Sequence, residues 1–216
     1  VKHIVKGKEP QSLLEHRLKS HADYDNYSEK DDLRQSLLTE QGYICCYCME
    51  RIAKNKMKIE HWRPQSSYQN LQLDYQNLLG ACQGNQGQPQ HLQHCDTRKG
   101  EIKITINPTD ASRKCENLIK YRGNGQIYSD DVTINRELNE VLNLNLETLT
   151  KNRKAVLDAV ILGLQKKYPS KSWTVAILSK EIARYSNINE KTQYEPYCQF
   201  IIFWLNKRLS AESKPK

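Results

Sequence analysis

The chain has 216 residues, 38% of them hydrophobic, with a formal charge of +8 and a sequence pI near 9.0. A charged fraction of 27% and a mean hydropathy of -0.80 leave no stretch near the ~20 apolar residues that span a bilayer, which argues against a membrane-spanning helix. The basic balance favours a polyanionic partner, and the length suffices for one generous domain or two small ones.

The positive excess falls on residues 41–216, while residues 1–40 are nearly balanced. The opening Val1-Lys2-His3-Ile4-Val5-Lys6 lacks the apolar run of a secretory signal. Four of the seven cysteines cluster at knuckle spacing rather than dispersing as a disulfide framework, so a reducing, cytoplasmic setting is expected. Tyrosine (12) outnumbers phenylalanine (2); stacking on bases would use that bias, although most of these rings read as core and boundary residues.

Residues 11–40 read as helical. Leu13, Leu14 and Leu18 share a face, and Leu33, Leu37 and Leu38 repeat the spacing after a polar gap at residues 23–28, with Asp31 or Asp32 as the cap of the second helix. From Tyr43 to about Gly100 the pattern breaks into short pieces. Met57-Lys58-Ile59-Glu60-His61 alternates as a short strand does, and Pro64 ends it. Residues 74–82 suit a second strand, and residues 83–94, rich in Gln, Gly and His, read as a loop. Alternation returns over residues 101–106 and stops at Asn107-Pro108. Gly123-Asn124-Gly125 predicts a hairpin with positive φ at its tip. After Asp131 the chain reads as helical to near its end. Leu149, Val156, Val160 and Leu164 lie on one face beside Leu157 and Ile161. A last helix near residues 197–209 presents Phe200, Ile201, Trp204 and Leu205 as core or partner surface, and residues 210–216 read as a frayed tail. The expected regions are residues 1–40, 41–110 and 111–216.

Cys45 and Cys48 are spaced so that both thiolates reach one tetrahedral ion, and Cys82 with Cys95 is the natural second pair for a four-cysteine structural zinc site. A twelve-residue excursion separates that second pair, and its closure entropy grows only slowly with length. His91 and His94 stand in the excursion as substitute ligands. The rivals are a redox Cys-x-x-Cys, for which the βαβ setting is missing, cysteines buried as small apolar residues, and a nuclease fold that keeps them unmetallated. Cys46, Cys115 and Cys198 read as ordinary thiols, Cys198 facing the core.

Glu60 and His61 close the first strand. A neutral imidazole there can take a proton from water, because its pKa lies near neutrality. Glu60 and Asp96 are hard oxygen ligands for Mg2+ or Mn2+, which stabilises charge on phosphoryl and leaving oxygens. Asn77 would tie down the loop carrying His61 through its amide, and Arg63, Arg98 and Lys99 would grip nucleic-acid phosphates. Each has a plainer reading: a solvated Glu-His pair, a turn asparagine, a cap at Asp96, a surface charge pair. The order favours chemistry: Cys-x-x-Cys, acid-His-x-x-Pro, Asn, Cys, then Cys-Asp-x-x-Lys-Gly.

With that order, residues 43–100 resemble an HNH endonuclease of the ββα-metal type with an attached four-cysteine zinc knuckle. The resemblance implies an α+β protein: a small zinc-stapled ββα-metal core flanked by N-terminal helices and a mainly helical C-terminal region. It makes His61 the general base, Glu60 the metal-binding acid before it, and Asn77 the middle asparagine. Asp96 stands where the family carries His or Asn, which keeps a ligand but makes the site more anionic. His3-Ile4-Val5-Lys6-Gly7-Lys8-Glu9-Pro10, His94-Cys95-Asp96 and Val141-Leu142-Asn143-Leu144-Asn145 are similar to the PtuB-type HNH nucleases of Septu and retron-linked anti-phage systems. That similarity implies an effector cleaving DNA or a structured RNA such as tRNA. It also implies a PtuA-type ATPase partner and, in retron versions, a reverse transcriptase with its RNA–DNA product. Two rivals remain at this point: a zinc-positioned nucleic-acid-binding module that does not cut, and a scaffold for an ATPase built on the helix around Phe200 and Trp204.

Overall fold

The structure, a computed structural model, describes residues 1–169 and 173–212. In chain order it contains α1 (Gln11–Arg17), α2 (Lys30–Glu40), β1 (Met57–His61), β2 (Leu78–Cys82), α3 (Cys95–Lys99), α4 (Cys115–Leu118), β3 (Lys120–Tyr121), β4 (Ile127–Tyr128), α5 (Val132–Arg136), α6 (Glu147–Lys167), α7 (Val175–Ser186) and α8 (Cys198–Glu212). The described residues form a mixed α+β structure with two small two-stranded sheets. Among the described residues, no helix is long and apolar enough to cross a membrane.

The first helix is shorter than its leucine spacing predicts. It stops at Arg17, so Leu18 is 79% exposed while Leu13 is fully buried. His16 turns inward instead, and its Nε2 lies 3.0 Å from the Asp23 carbonyl, drawing the polar gap back onto the helix. In α2, Leu33, Leu37 and Leu38 are buried as predicted. Asp31 and Asp32 are not its cap: the helix starts at Lys30, which puts both inside the first turn, where Asp31 pairs with Arg34 and Lys54.

The centre of the molecule is the β1–β2 hairpin. The strands pair antiparallel with Glu60 opposite Leu79 and His61 opposite Leu78. Every residue of β2 is buried, and the side chain of Gln41 borders it by bonding both the N–H and the C=O of Gly80. α3 packs on β2. Residues 101–106 do not form a strand. The Glu137 carboxylate accepts the Thr105 and Ile106 amides and the Thr105 hydroxyl, so these donors need no partner strand.

The predicted hairpin forms between β3 and β4, with Gly125 carrying the positive φ (88°). A Cβ at Gly125 would sit 2.2 Å from the Thr150 carbonyl, so this close approach requires glycine. In α6 the fully buried face is Leu149, Arg153, Leu157 and Leu164, with Val156, Val160 and Ile161 half-buried beside it. Arg153, 1% exposed, enters the core because its guanidinium donates to the Gly125 and Leu144 carbonyls. α8 packs against α7 and buries Cys198, Phe200, Ile201 and Leu205 in the core, while Trp204 is half-buried. It continues through Glu212, past the start of the expected tail; residues 213–216 of that tail lie outside the described residues.

The segments just before α1 and α8 are bonded to the α2–β2 region. Lys6 forms a buried pair with Glu40 and donates to the Leu78 carbonyl at 2.8 Å, and Tyr75 donates to the same Glu40. Tyr194 and Tyr197 donate their amides to the carbonyls of Gly42 and Met49, each at 3.0 Å.

Candidate functional site

The four cysteines come from three places that the fold brings together. Cys45 and Cys48 lie in a tight turn after α2, Cys82 ends β2, and Cys95 opens α3. Their sulfurs all lie within 4.8 Å of one another, with Cys45–Cys95 at 3.9 Å and Cys48–Cys82 at 3.8 Å. A tetrahedron with Zn–S bonds of ~2.3 Å has edges of about 3.8 Å, so this donor set fits one zinc ion. Backbone N–H groups of Cys82 and Glu50 point at the sulfurs of Cys45 and Cys48, the pattern that stabilises thiolates.

His94 stands beside this set, with Nδ1 3.2 Å from the Cys95 sulfur and 3.9 Å from that of Cys82. Burial lowers its pKa, so the ring is neutral at pH 7 and its Nδ1–H can donate to a thiolate. His91 is exposed. Glu50, Cys82 and His94 also lie within 4.8 Å as a group, sharing one sulfur with the tetrathiolate. Cys46, Cys115 and Cys198 are buried and belong to neither group.

The excursion between Cys82 and Cys95 is closed by Gly84. The His94 amide donates to its carbonyl at 3.1 Å, and a Cβ at this positive-φ position would meet the His94 oxygen at 2.1 Å. Asn143 then donates to the carbonyls of His91 and Gln93, and the Leu142 carbonyl takes the Cys95 amide at 2.9 Å. Cys95 sits in the left-handed region (φ 55°), a conformation costing on the order of 1–3 kcal/mol that this bond helps to hold. Residues 141–145, singled out in the sequence only by resemblance, thus brace the cysteine loop, and Asn145 bonds the Ile127 amide and carbonyl in the hairpin.

From the residue after Cys95, α3 borders a cleft of about 370 Å³ lined by Tyr24, Lys58, Glu60, His61, Gln65 and Asp96, among others. Glu60 is 2% exposed; one of its oxygens accepts from the Tyr47 hydroxyl (2.7 Å) and from Lys99 Nζ (2.9 Å). Its carboxyl is also hydrogen-bonded to that of Asp96, which pairs with Lys58 at 2.5 Å. Burial, reinforced by Asp96, pushes Glu60 well above the usual carboxylate range. Burial pushes Asp96 upward too, but the bond from Glu60 and the charge of Lys58 outweigh it and leave Asp96 below its ordinary value. Two carboxyl groups with opposite pKa shifts therefore face each other in the cleft. By that observation the pair fits a hard cation.

His61 stands on the cleft wall. Its Nε2 lies 3.0 Å from the Gln72 carbonyl, so in the neutral ring this nitrogen carries the hydrogen and Nδ1 is left as the proton acceptor. Burial lowers its pKa, and the Tyr24 ring packs edge-on at 4.5 Å. Asn77 accepts the Arg63 amide at 2.7 Å and donates to the carbonyls of Arg63 and Leu71, while the Trp62 amide reaches the Asn77 carbonyl. The segment after His61 is pinned at both ends by this one side chain.

The expected phosphate grips differ in placement. Lys99 is not a surface cation: it is 1% exposed and held by Glu60 and the His61 carbonyl, because α3 turns that face onto β1. Arg98 donates to the carbonyls of Gln90 and Glu140, anchoring α3 to its surroundings. Asp96 is not a cap either; it lies in the first turn of α3, whose N-cap is His94. Arg63 stacks over Trp62 at 4.0 Å. Sequence reasoning passed over Lys58, Tyr47 and Tyr24. The two-residue strand period places Lys58 on the face of Glu60 and could have found it; nothing local marks Tyr24, which arrives from the gap between α1 and α2.

No protein-family model matches the chain. Over 93 residues it is 31% identical to a curated protein described as a retron Vc95 putative HNH endonuclease from Vibrio cholerae serotype O1 biovar El Tor. The similarity covers 41% of this chain and 43% of that protein, so the chain matches less than half the length of this relative. Together with the buried tetrathiolate, the likeness supports an HNH-type chain in coarse terms and does not single out the PtuB type.

Proposed function

We propose that this chain is a metal-dependent HNH endonuclease whose ββα-metal core is β1, β2 and α3. The observation that carries the reading is the contact between Glu60 and Asp96 in a cleft whose wall is His61, oriented by the Gln72 carbonyl. Mg2+ or Mn2+ held by Glu60 and Asp96 would neutralise the phosphoryl oxygens and stabilise the leaving 3′ oxygen. His61 Nδ1 takes the proton of the attacking water, and Asn77 fixes the segment that carries the base. Cys45, Cys48, Cys82 and Cys95 would hold a zinc ion that ties β2 to α3, and Asp96 directly follows Cys95.

The substrate is the phosphodiester backbone of DNA or of a structured RNA such as tRNA. The relative described as a retron putative HNH endonuclease supports a retron setting; on our reading the chain is an effector of anti-phage defence, with a PtuA-type ATPase and a retron reverse transcriptase bearing its RNA–DNA product as the expected partners. A second reading draws on one observation: Lys58 and Lys99 already balance the two carboxylates, as suits a zinc-stabilised module that binds nucleic acid without cutting. Incubating the protein with plasmid DNA and with tRNA, with Mg2+, Mn2+ or a mild chelator, separates the two. The nuclease reading expects ion-dependent cuts, lost in Glu60→Gln and Asp96→Asn with zinc content unchanged. Binding of either probe with no cutting under any ion would favour the module.

A further inference from the structure

The cations around the cleft divide into two kinds. Lys58 and Lys99 neutralise carboxylates, and Arg98 is bonded to main-chain carbonyls. Arg63 and Lys103 have no carboxylate partner among the described residues; each is instead seated on an aromatic ring. The Arg63 guanidinium lies 4.0 Å from the Trp62 ring and 5.6 Å from that of Tyr68, and Lys103 Nζ lies 4.7 Å from the same Tyr68 ring. Sharing one ring keeps the two charges at most about 10 Å apart, close to one Debye length at physiological salt.

The scaffold beneath them is rigid. Trp62 is fixed by its indole N–H on the Ile106 carbonyl at 2.9 Å, and Asn77 grips the main chain of Arg63 on both sides. Tyr68 donates its amide to the Pro64 carbonyl, and the segment carrying Lys103 is held two residues later by Glu137. The nearby Glu101 accepts the Ser66 hydroxyl and leaves both cations unneutralised. Like charges held together in this way repel one another until an anion arrives. A guanidinium seated over a ring can still offer paired N–H donors to a bidentate oxyanion. The strip starts two residues from His61, and Pro64 and Gln65 line the cleft, so its anion would lie beside the reacting phosphate.

We propose that Arg63 and Lys103, seated on Trp62 and Tyr68, form a preorganised clamp for neighbouring phosphodiesters of one nucleic-acid strand at the cleft mouth. The nuclease reading supplies only its purpose; the clamp binds whether or not the cleft cuts.

The test measures affinity against salt for a short labelled DNA strand, its duplex and the RNA of the same sequence, in a His61→Ala background. The double variant Arg63→Gln/Lys103→Gln should bind on the order of tenfold more weakly, and the slope of log K on log salt should fall by about 1.5, the loss of two phosphate contacts. A control removing equal charge elsewhere, Lys166→Gln/Lys180→Gln, should leave the slope nearly unchanged, and Arg63→Lys/Lys103→Arg should retain it. Zinc content reports folding; should the double variant lose zinc, Lys103→Gln alone must still lower the slope by about 0.7–0.9. A slope equal to that of the control, or a parent that binds none of the probes, overturns the clamp. A protein with His61 intact that binds through these residues but never cuts sinks the nuclease reading and leaves the clamp standing.

Discussion

The tetrathiolate centre and the carboxylate cleft adjoin on α3, where Cys95 and Asp96 are neighbours, yet they are built on opposite rules. The centre is four buried sulfurs whose mutual spacing suits an ion better than it suits four thiols. Burial pushes the Cys95 thiol well above its ordinary range, so only a cation makes four thiolates tolerable there. The cleft carries its own counter-charges in Lys58 and Lys99. Where the chain leaves anions uncompensated, a bound cation would belong to the fold. Where lysines compensate them, an incoming ion would compete with an ammonium, and on the proposed reading its binding would be weak, reversible and tied to substrate.

Removing one ligand should break the comparison most severely. In Cys48→Ser, zinc content should collapse and cooperative melting should be lost, because structural zinc sites in small domains contribute on the order of 10 kcal/mol. A variant that keeps both would show that packing alone closes the centre. Next comes Lys99→Met, which leaves Glu60 buried without its ammonium. Chemical denaturation should show a loss of about 3–5 kcal/mol, the usual cost of breaking a buried pair from one side. A loss under about 1 kcal/mol would mean that the pair is not ionised. The mildest change is Lys58→Met, whose side chain is 32% exposed. Stability should shift by less than about 1 kcal/mol, while Mn2+ should bind more tightly because no ammonium competes for Asp96. Unchanged Mn2+ affinity would place the ion elsewhere.

What could be read from the sequence was local. The alternation of Met57–His61 marks β1, Cys-x-x-Cys marks half of the sulfur centre, and the Gly-rich tip marks the β3–β4 hairpin. What could not be read depends on partners distant in the chain. Residues 101–106 alternate like a strand, but Glu137 takes their amides from thirty-odd residues away. Lys99 follows Asp96 by three residues, and only the seating of α3 on the hairpin turns it onto Glu60. Arg153 occupies an apolar face with no nearby sign that the Gly125 and Leu144 carbonyls await it. Tyr24 reaches His61 only because the gap between α1 and α2 folds over the cleft.

Cleavage by His61→Ala, assayed on the same sample whose zinc is counted, bears most directly on the proposed chemistry. Removing a general base should slow cutting by about 10²–10⁴-fold while zinc and melting stay at the parent values. Full cleavage by a folded, zinc-loaded His61→Ala protein would contradict the assignment of this imidazole as the base.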